Sequence, residues 1–345
     1  MISRRLFLLA CGALPVLGFA KNAPRTMIAP RKLCPGDPVA IIAPAGAHSD
    51  EASLENAMEN LKRIGLDPIP SPNLRARWGY LAGQDQERAD DFNWAVANED
   101  IRGIICLRGG YGTMRMLPMI DYAAFRANPK VVMGYSDITG LLNALTAKSG
   151  VMTFHGPIAE AKFEGYEGEW MRKAIFSSEA IGAFLPPTSL RGRAVAPSPR
   201  TIQSGRAEGR LIGGNLSLIQ PCARTPYGAN FDGAILVLED TNEDPYRIDR
   251  MLTSLWLGGH LQKLAGIVLA DFRPPRPRPE DQPGAPEKEF SMDQVFDHLC
   301  QWVSCPIFCG LYAGHISDKV TLPIGARARM DADALRLEVL EPCVV

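Results

Sequence analysis

Residues Val131-Val132-Met133-Gly134-Tyr135-Ser136-Asp137-Ile138 decide how this chain reads. An apolar run suited to a buried strand stops at Gly134, and a serine stands in the turn. Ile138, Leu141, Leu142 and Leu145 then recur on one face of a helix. A strand–turn–helix of this kind lifts a serine hydroxyl out of the backbone at the end of a sheet, where a base can reach it. The N–H groups of the turn can hold a developing oxyanion. The usual elbow of this type reads G-x-S-x-G, and here the second glycine position is Ile138. A Ser-Asp pair is also a common cap on an ordinary helix, so the octapeptide alone leaves both readings open.

Upstream, residues 38–46 read as a buried strand ending in a turn. Leu54, Met58, Leu61 and Ile64 follow at helical spacing, and Gly65 closes that helix. A polar helix beginning near Gln84 leads into the strand Ile104-Ile105-Cys106-Leu107. This β-α-β-α rhythm with continuous apolar strands predicts a parallel sheet covered on both faces. Downstream the pattern breaks over residues 185–206, where Pro186, Pro187, Pro197 and Pro199 alternate with Ser, Arg and Gly, the composition of a linker. The second half restarts at Gly209 with strand-like runs at 234–238 and 265–269, and Ile248, Met251, Leu252 and Leu255 mark a helix face between them. Residues 273–289, rich in proline and charge, are expected to form an exposed loop. The expected organisation is an N-terminal domain over 27–185, a linker over 186–206 and a C-terminal domain over 207–345. With 345 residues, 46% of them hydrophobic, the chain can bury two cores. Its net charge of −1 gives no reason to expect nucleic acid or an anionic membrane surface as partner.

Residues 1–20 read as an export signal and not as part of the fold. Residues 1–5 are a short basic stretch, 6–20 an apolar one too short to span a bilayer comfortably, and Gly18-Phe19-Ala20 a small-x-small cleavage site before Lys21. Ser3-Arg4-Arg5-Leu6-Phe7-Leu8-Leu9 resembles a twin-arginine signal, with a general secretory signal as the equal alternative; Leu8-Leu9-Ala10-Cys11 is a faint lipoprotein box. The mature protein is expected in the periplasm, without stable membrane insertion. Cleavage would leave seven of the eight cysteines, so at least one is free. Cys106 reads as a buried, inert thiol. Cys300, Cys305 and Cys309 do not have zinc spacing; one disulfide or plain packing fits them. The chain has no H-E-x-x-H, paired C-x-x-C or Walker A motif, and no cofactor or metal is expected.

Three further groups carry possible chemistry. Arg108-Gly109-Gly110-Tyr111-Gly112 follows a strand and makes a nest of N–H donors suited to an anion, or simply a tight turn. A dinucleotide site would need a glycine where Arg115 stands. Leu236-Val237-Leu238-Glu239-Asp240 puts two carboxylates past a buried strand, either as caps or to orient a histidine. Of the five histidines, His155 follows an apolar run, while His48, His260 and His298 have no clear task; His315, after Gly314, precedes the strand-like 320–325.

Together these segments resemble the LD-carboxypeptidase (muramoyltetrapeptide carboxypeptidase) family of serine peptidases, over residues 35–325. The resemblance is carried by Ala43-Pro44-Ala45-Gly46, Gly79-Tyr80-Leu81-Ala82-Gly83, the Arg108–Gly112 stretch and Gly134-Tyr135-Ser136-Asp137. Phe154-His155-Gly156-Pro157, Gly213-Gly214-Asn215-Leu216, Leu238-Glu239-Asp240 with Pro245-Tyr246-Arg247-Ile248-Asp249, and Gly314-His315 with Leu322-Pro323-Ile324-Gly325 complete it. The resemblance implies an α/β protein with an N-terminal Rossmann-like parallel-sheet domain and a C-terminal β/α domain. It also implies a triad of Ser136, Glu239 and His315, with the N–H groups of Asp137 and Gly110 expected as the oxyanion hole. The implied reaction is hydrolysis of the bond between meso-diaminopimelate and terminal D-alanine in peptidoglycan tetrapeptides (muropeptides), by a homodimer without cofactor. Two departures stand out. Ile316 occupies a position where the family often has glycine, and the export signal contrasts with well-known members that work in the cytoplasm. Arg108 and Arg247 are both available for the substrate carboxylate. Two rival readings remain. Some members cleave peptidyl-nucleotide antibiotics, for which the sequence offers no identifiable aromatic platform. A non-catalytic periplasmic binding protein would capture a ligand without turnover.

Overall fold

The apolar runs of the first half become five parallel strands in the computed structural model, which describes residues 26–275 and 290–345. They are β1 (Pro38–Ile42), β2 (Asp67–Pro70), β3 (Gly103–Cys106), β4 (Val131–Gly134) and β5 (Thr153–His155), in spatial order β2-β1-β3-β4-β5. Every residue of β3 and β4 is buried, as a sheet covered on both faces requires. The helix Glu51–Arg63 starts where the Asp50 carboxylate accepts the Ser53 N–H, and it buries Leu54, Ala57 and Leu61. The helix Asp85–Ala97 opens with a capping box made by Gln84 and Glu87.

The second half supplies β6 (Ala180–Ala183), β7 (Arg200–Gln203), β8 (Arg206–Asn215), β9 (Ile235–Thr241), β10 (Gly266–Arg273), β11 (Ile307–Cys309), β12 (Leu322–Ile324), β13 (Arg327–Asp331) and β14 (Arg336–Pro342). Eight of these form a sheet in the order β6-β14-β13-β8-β9-β10-β11-β7, parallel from β8 to β11 and antiparallel elsewhere. The exception is β12, which crosses over and pairs antiparallel with β5, closing the edge of the first sheet. Both sheets are therefore mixed, and β7 begins inside the proline-rich stretch.

The two halves are welded, not merely adjacent. One hydrophobic cluster runs from Val39, Ile41 and Met133 to Leu211, Val237 and Phe308. The helix Ile138–Ser149 lies between the sheets and is buried nearly all round, so its polar residues must find partners inside the fold. Its polar residues serve the junction: Asn143 Nδ2 donates to the Gly213 carbonyl at 2.8 Å, and Thr139 Oγ1 accepts the Asn215 N–H at 3.0 Å. The seven described cysteines are all free, so packing and not a disulfide accounts for Cys300, Cys305 and Cys309. Among the described residues no helix is long and apolar enough to cross a membrane. The expected export signal and nearly all of the expected 273–289 loop lie outside the described residues.

Candidate active site

Ser136 follows β4 and has φ 63°, in the left-handed region that a non-glycine residue occupies at a cost of about 1–3 kcal/mol. The kink turns the chain from strand to helix within three residues, and the Ser136 carbonyl already accepts the Thr139 N–H at 2.9 Å. Asp137 holds the turn in place. Its buried carboxylate accepts the Thr113 N–H at 2.8 Å, and Thr113 Oγ1 donates to its carbonyl at 2.6 Å. Those bonds tie the elbow to the glycine loop of residues 108–112. Gly109 is there for space: a Cβ on it would lie 2.8 Å from Ser136 Cβ and 3.1 Å from Oγ. Among the described residues, no hydrogen bond within the fold takes the N–H of Gly110 or Asp137.

Glu239 stands near the end of β9, on the other sheet, and is 1% exposed. Its neighbour Asp240 points the opposite way, as alternate strand residues must. Asp240 accepts the Ser217 N–H at 2.9 Å, the Ser217 hydroxyl at 3.0 Å and the Thr241 N–H at 2.8 Å. Burial, reinforced by the Glu239 charge, pushes Asp240 up to about 6.

His315 lies between β11 and β12 on a segment anchored at several points. The Ala313 carbonyl accepts the Asp271 N–H, the Arg273 guanidinium donates to the His315 carbonyl, and Lys319 Nζ donates to the Ile316 carbonyl while pairing with Glu167 at 2.6 Å. Thus fixed, the imidazole spans the gap between the sheets. Nδ1 is 2.6 Å from Glu239 Oε2, and Nε2 is 3.0 Å from Ser136 Oγ. The Tyr135 ring packs edge-on to it, with centroids 5.1 Å apart. Burial pulls the His315 pKa down, but the Glu239 charge and hydrogen bond outweigh it, and the net direction is up. Burial likewise opposes ionisation of Glu239, yet the facing imidazole holds it below the usual carboxylate range. Chemically, the arrangement suits transfer of the Ser136 proton to Nε2, with the resulting imidazolium held against a fixed anion.

The other sequence candidates lie apart from this chain of contacts. His48 meets the Asp50 carbonyl, while the rings of His260 and His298 pack against Phe231 and Phe290. Arg247 is half-exposed and paired with Glu243 at 3.5 Å; Arg108 Nη1 donates to the Ala47 carbonyl. Two features escaped the sequence reading. A cleft of about 420 Å³ opens beside Tyr135, lined among others by Glu160, Lys162, Arg191 and Lys319. A larger concavity, about 690 Å³, lies over β8, β13 and β14 and contains none of Ser136, Glu239 or His315. The second feature is aromatic. Trp78, Tyr80 and Tyr111 are 51%, 70% and 52% exposed; the two tyrosine rings meet with centroids 5.6 Å apart, and the Arg115 guanidinium lies over the Trp78 ring at 5.5 Å. The sequence showed no aromatic platform because its members come from two separate turns. The tyrosine following a glycine in each turn was the available sign.

Comparison with known proteins gives consistent matches. Residues 39–156 match the LD-carboxypeptidase N-terminal domain and residues 208–330 the LD-carboxypeptidase C-terminal domain. The chain is 35% identical over 302 residues to the "Probable murein peptide carboxypeptidase" of Bacillus subtilis, covering 88% of this chain and 91% of that protein. It is 28% identical over 310 residues to the microcin C7 self-immunity protein MccF of Escherichia coli, covering 82% and 87%. The crystal structure of muramoyltetrapeptide carboxypeptidase from Oxalobacter formigenes superposes with a TM-score of 0.74 at 30% identity, covering 88% of this chain and 99% of that one.

Proposed function

The chain belongs to the LD-carboxypeptidase family and is a carboxypeptidase. From that premise we propose that it is a serine LD-carboxypeptidase of peptidoglycan. It removes terminal D-alanine from the meso-diaminopimelate of a tetrapeptide, as an exported, periplasmic homodimer. The observation that carries this reading is the unbroken relay of 3.0 Å and 2.6 Å contacts from Ser136 through His315 to Glu239.

In this mechanism His315 Nε2 takes the Ser136 proton as Oγ attacks the carbonyl of the L-configured centre of the third residue. Glu239 keeps the Nδ1–H tautomer and stabilises the imidazolium. The Asp137 and Gly110 N–H groups receive the oxyanion. His315 then protonates the departing D-alanine amine, and water, deprotonated by the same imidazole, hydrolyses the acyl-enzyme. The cleft beside Tyr135, with acids and bases on its walls, fits the zwitterionic end of the diaminopimelate side chain.

The test is mass spectrometry of a disaccharide tetrapeptide incubated with the wild-type protein and with Ser136→Ala. Loss of one alanine is expected with wild type, and a rate lower by about 10⁴-fold or more with the variant. Near-normal turnover by Ser136→Ala would sink the assignment. The exposed Trp78, Tyr80 and Tyr111 favour one second reading, a related peptidase that stacks a nucleobase while cleaving a peptidyl-nucleotide. Cleavage of an aminoacyl-nucleotide analogue with no action on the tetrapeptide would select it.

A further inference from the structure

His155 is the member of the Phe154-His155-Gly156-Pro157 motif to which the mechanism gives no task. It ends β5, opposite Gly134 of β4 on one side and Leu322 of β12 on the other, and it is 2% exposed. Its Nε2 is buried without a hydrogen-bond partner among the described residues. The ring edge carrying Nε2 is pressed against Gly214, where φ is +120° and a Cβ would lie 2.9 Å from Nε2 and 2.7 Å from Cδ2. Gly214 pairs with Leu238, and the next pair in that ladder is Asn215 with Glu239. The imidazole of the first sheet therefore reaches the second sheet beside the Glu239 backbone.

Glu239 has a matching gap. Its Oε2 is bonded to His315, while Oε1 is buried and has no hydrogen-bond partner among the described residues. The Asn215 amide also acts on Glu239 as a hydrogen-bond donor that favours the carboxylate, while its contact at ordinary hydrogen-bond length, 3.2 Å, goes to Asp240. His155 and Glu239 each enter the other's electrostatic surroundings. Burial pushes His155 down to about 4, so the ring is neutral at ordinary pH. We assign the proton to Nδ1, the ring nitrogen within reach of the residue's own backbone carbonyl, which leaves Nε2 as a lone pair. A lone pair on Nε2 and another on Oε1 cannot satisfy each other. Between two buried acceptors the fitting group is one water, giving one hydrogen to each.

We propose that His155 is a positioning residue of this site: its Nε2 and Glu239 Oε1 share a buried water that holds the outer edge of the carboxylate and keeps Oε2 aimed at His315. The inference rests on the Ser136–His315–Glu239 reading above. The titratable and charged groups around the pair are Glu239 and Asp240 from β9, Asp271 from β10, His315 and Lys319 from the segment before β12, and Tyr135 from the elbow. Loss of the water removes a donor from Glu239, leaves its negative charge less compensated, and strengthens its hold on the His315 proton. The pH at which His315 becomes a free base then rises.

The experiment follows Ser136 directly, independently of the natural substrate. The rate of its modification by a fluorophosphonate is measured from pH 5 to 9 for wild type, His155→Phe and His155→Gln, with Ser136→Ala as the blank. Phenylalanine fills the ring volume without a lone pair, whereas glutamine can present an oxygen near the Nε2 position. The phenylalanine variant is expected to react about tenfold to a hundredfold more slowly at neutral pH. Its acid limb should be displaced to higher pH, and glutamine should recover most of both effects. Thermal melts of the same samples identify a variant that has merely lost its fold, in which case the glutamine variant decides. A wild-type rate and limb in His155→Phe would overturn the inference. So would equal slowing of both variants with the limb unmoved, because that describes packing alone. A wild type that reacts no faster than the Ser136→Ala blank would remove the triad reading, and this inference with it. Reaction of Ser136 without alanine release from a tetrapeptide would remove only the substrate assignment.

Discussion

The ends of β4 and β9 deliver the two outer members of the relay, and they do so by different means. At the β4 end the main chain sets the geometry: Ser136 has φ 63°, a Cβ on Gly109 would lie only 2.8 Å from the Ser136 Cβ, and the Asp137 carboxylate accepts the Thr113 N–H. At the β9 end, side chains from distant segments do the placing. Glu239 is fixed by an imidazole 76 residues further on, and Asp240 by Ser217 and its helix. A serine positioned by backbone tolerates changes elsewhere but no extra atom beside it. An acid positioned by tertiary contacts tolerates small steric changes but not the loss of charge.

That contrast can be broken in order of size. Glu239→Gln preserves shape and removes the charge. It should lower kcat/KM by about 10⁴-fold at pH 7, the size of loss that the equivalent change causes in established serine peptidase triads. The sign of its pH effect is fixed: His315 must be neutral to accept a proton, and Glu239 raises its pKa. Wild-type activity therefore falls as pH drops through that raised value, and the variant's acid limb should lie lower. A pH–rate profile checks both, and a loss below tenfold would break the contrast at the acid end.

Gly109→Ala adds one methyl beside Ser136 and leaves every charge alone. A fall of about 10²-fold in kcat/KM is expected, with the acid limb unmoved, since misplacement of the nucleophile by a fraction of an ångström to an ångström has that effect. Unchanged kinetics would mean that the elbow yields. Asp240→Asn sharpens the comparison with the smallest catalytic effect. The amide keeps only one oxygen for the four donors at Asn215, Ser217 and Thr241, so stability should fall by about 1–3 kcal/mol. Activity at 25 °C should stay within about tenfold of wild type, measured by chemical denaturation beside kinetics.

The same division governs what was legible in the sequence. The elbow is local, so a strand run, a glycine and a helical stripe made Ser136 a candidate before any fold was known, with a plain helix cap as the other reading. The choice between Glu239 and Asp240 was not local. Alternation puts one on each face of β9, but which face meets a histidine depends on a segment from beyond β11. Only the family resemblance selected Glu239. The parallel core of the first sheet was readable from its continuous apolar strands, whereas the arrival of β12 was not, because Leu322–Ile324 reads like any short buried strand. His155 was visible as part of a motif and silent as to purpose, since its significance lies in atoms of the other sheet. The aromatic cluster was hidden for the same reason, its members being assembled from turns that share no sequence neighbourhood.

The crossing of β12 also sets an order of events. Ser136 and His315 are 179 residues apart in sequence, and the histidine sits on the segment that leaves the second sheet to close the first. Closure of a loop that long loses entropy before any contact repays it, so such pairings form late in a refolding chain. The strained serine and its glycine loop, built from nearer contacts, are expected to precede it. Recovery of serine reactivity is therefore a clock for the docking of β12 on β5, lagging the far-ultraviolet signal. An unfinished copy of the chain carries the turn without the imidazole beside it.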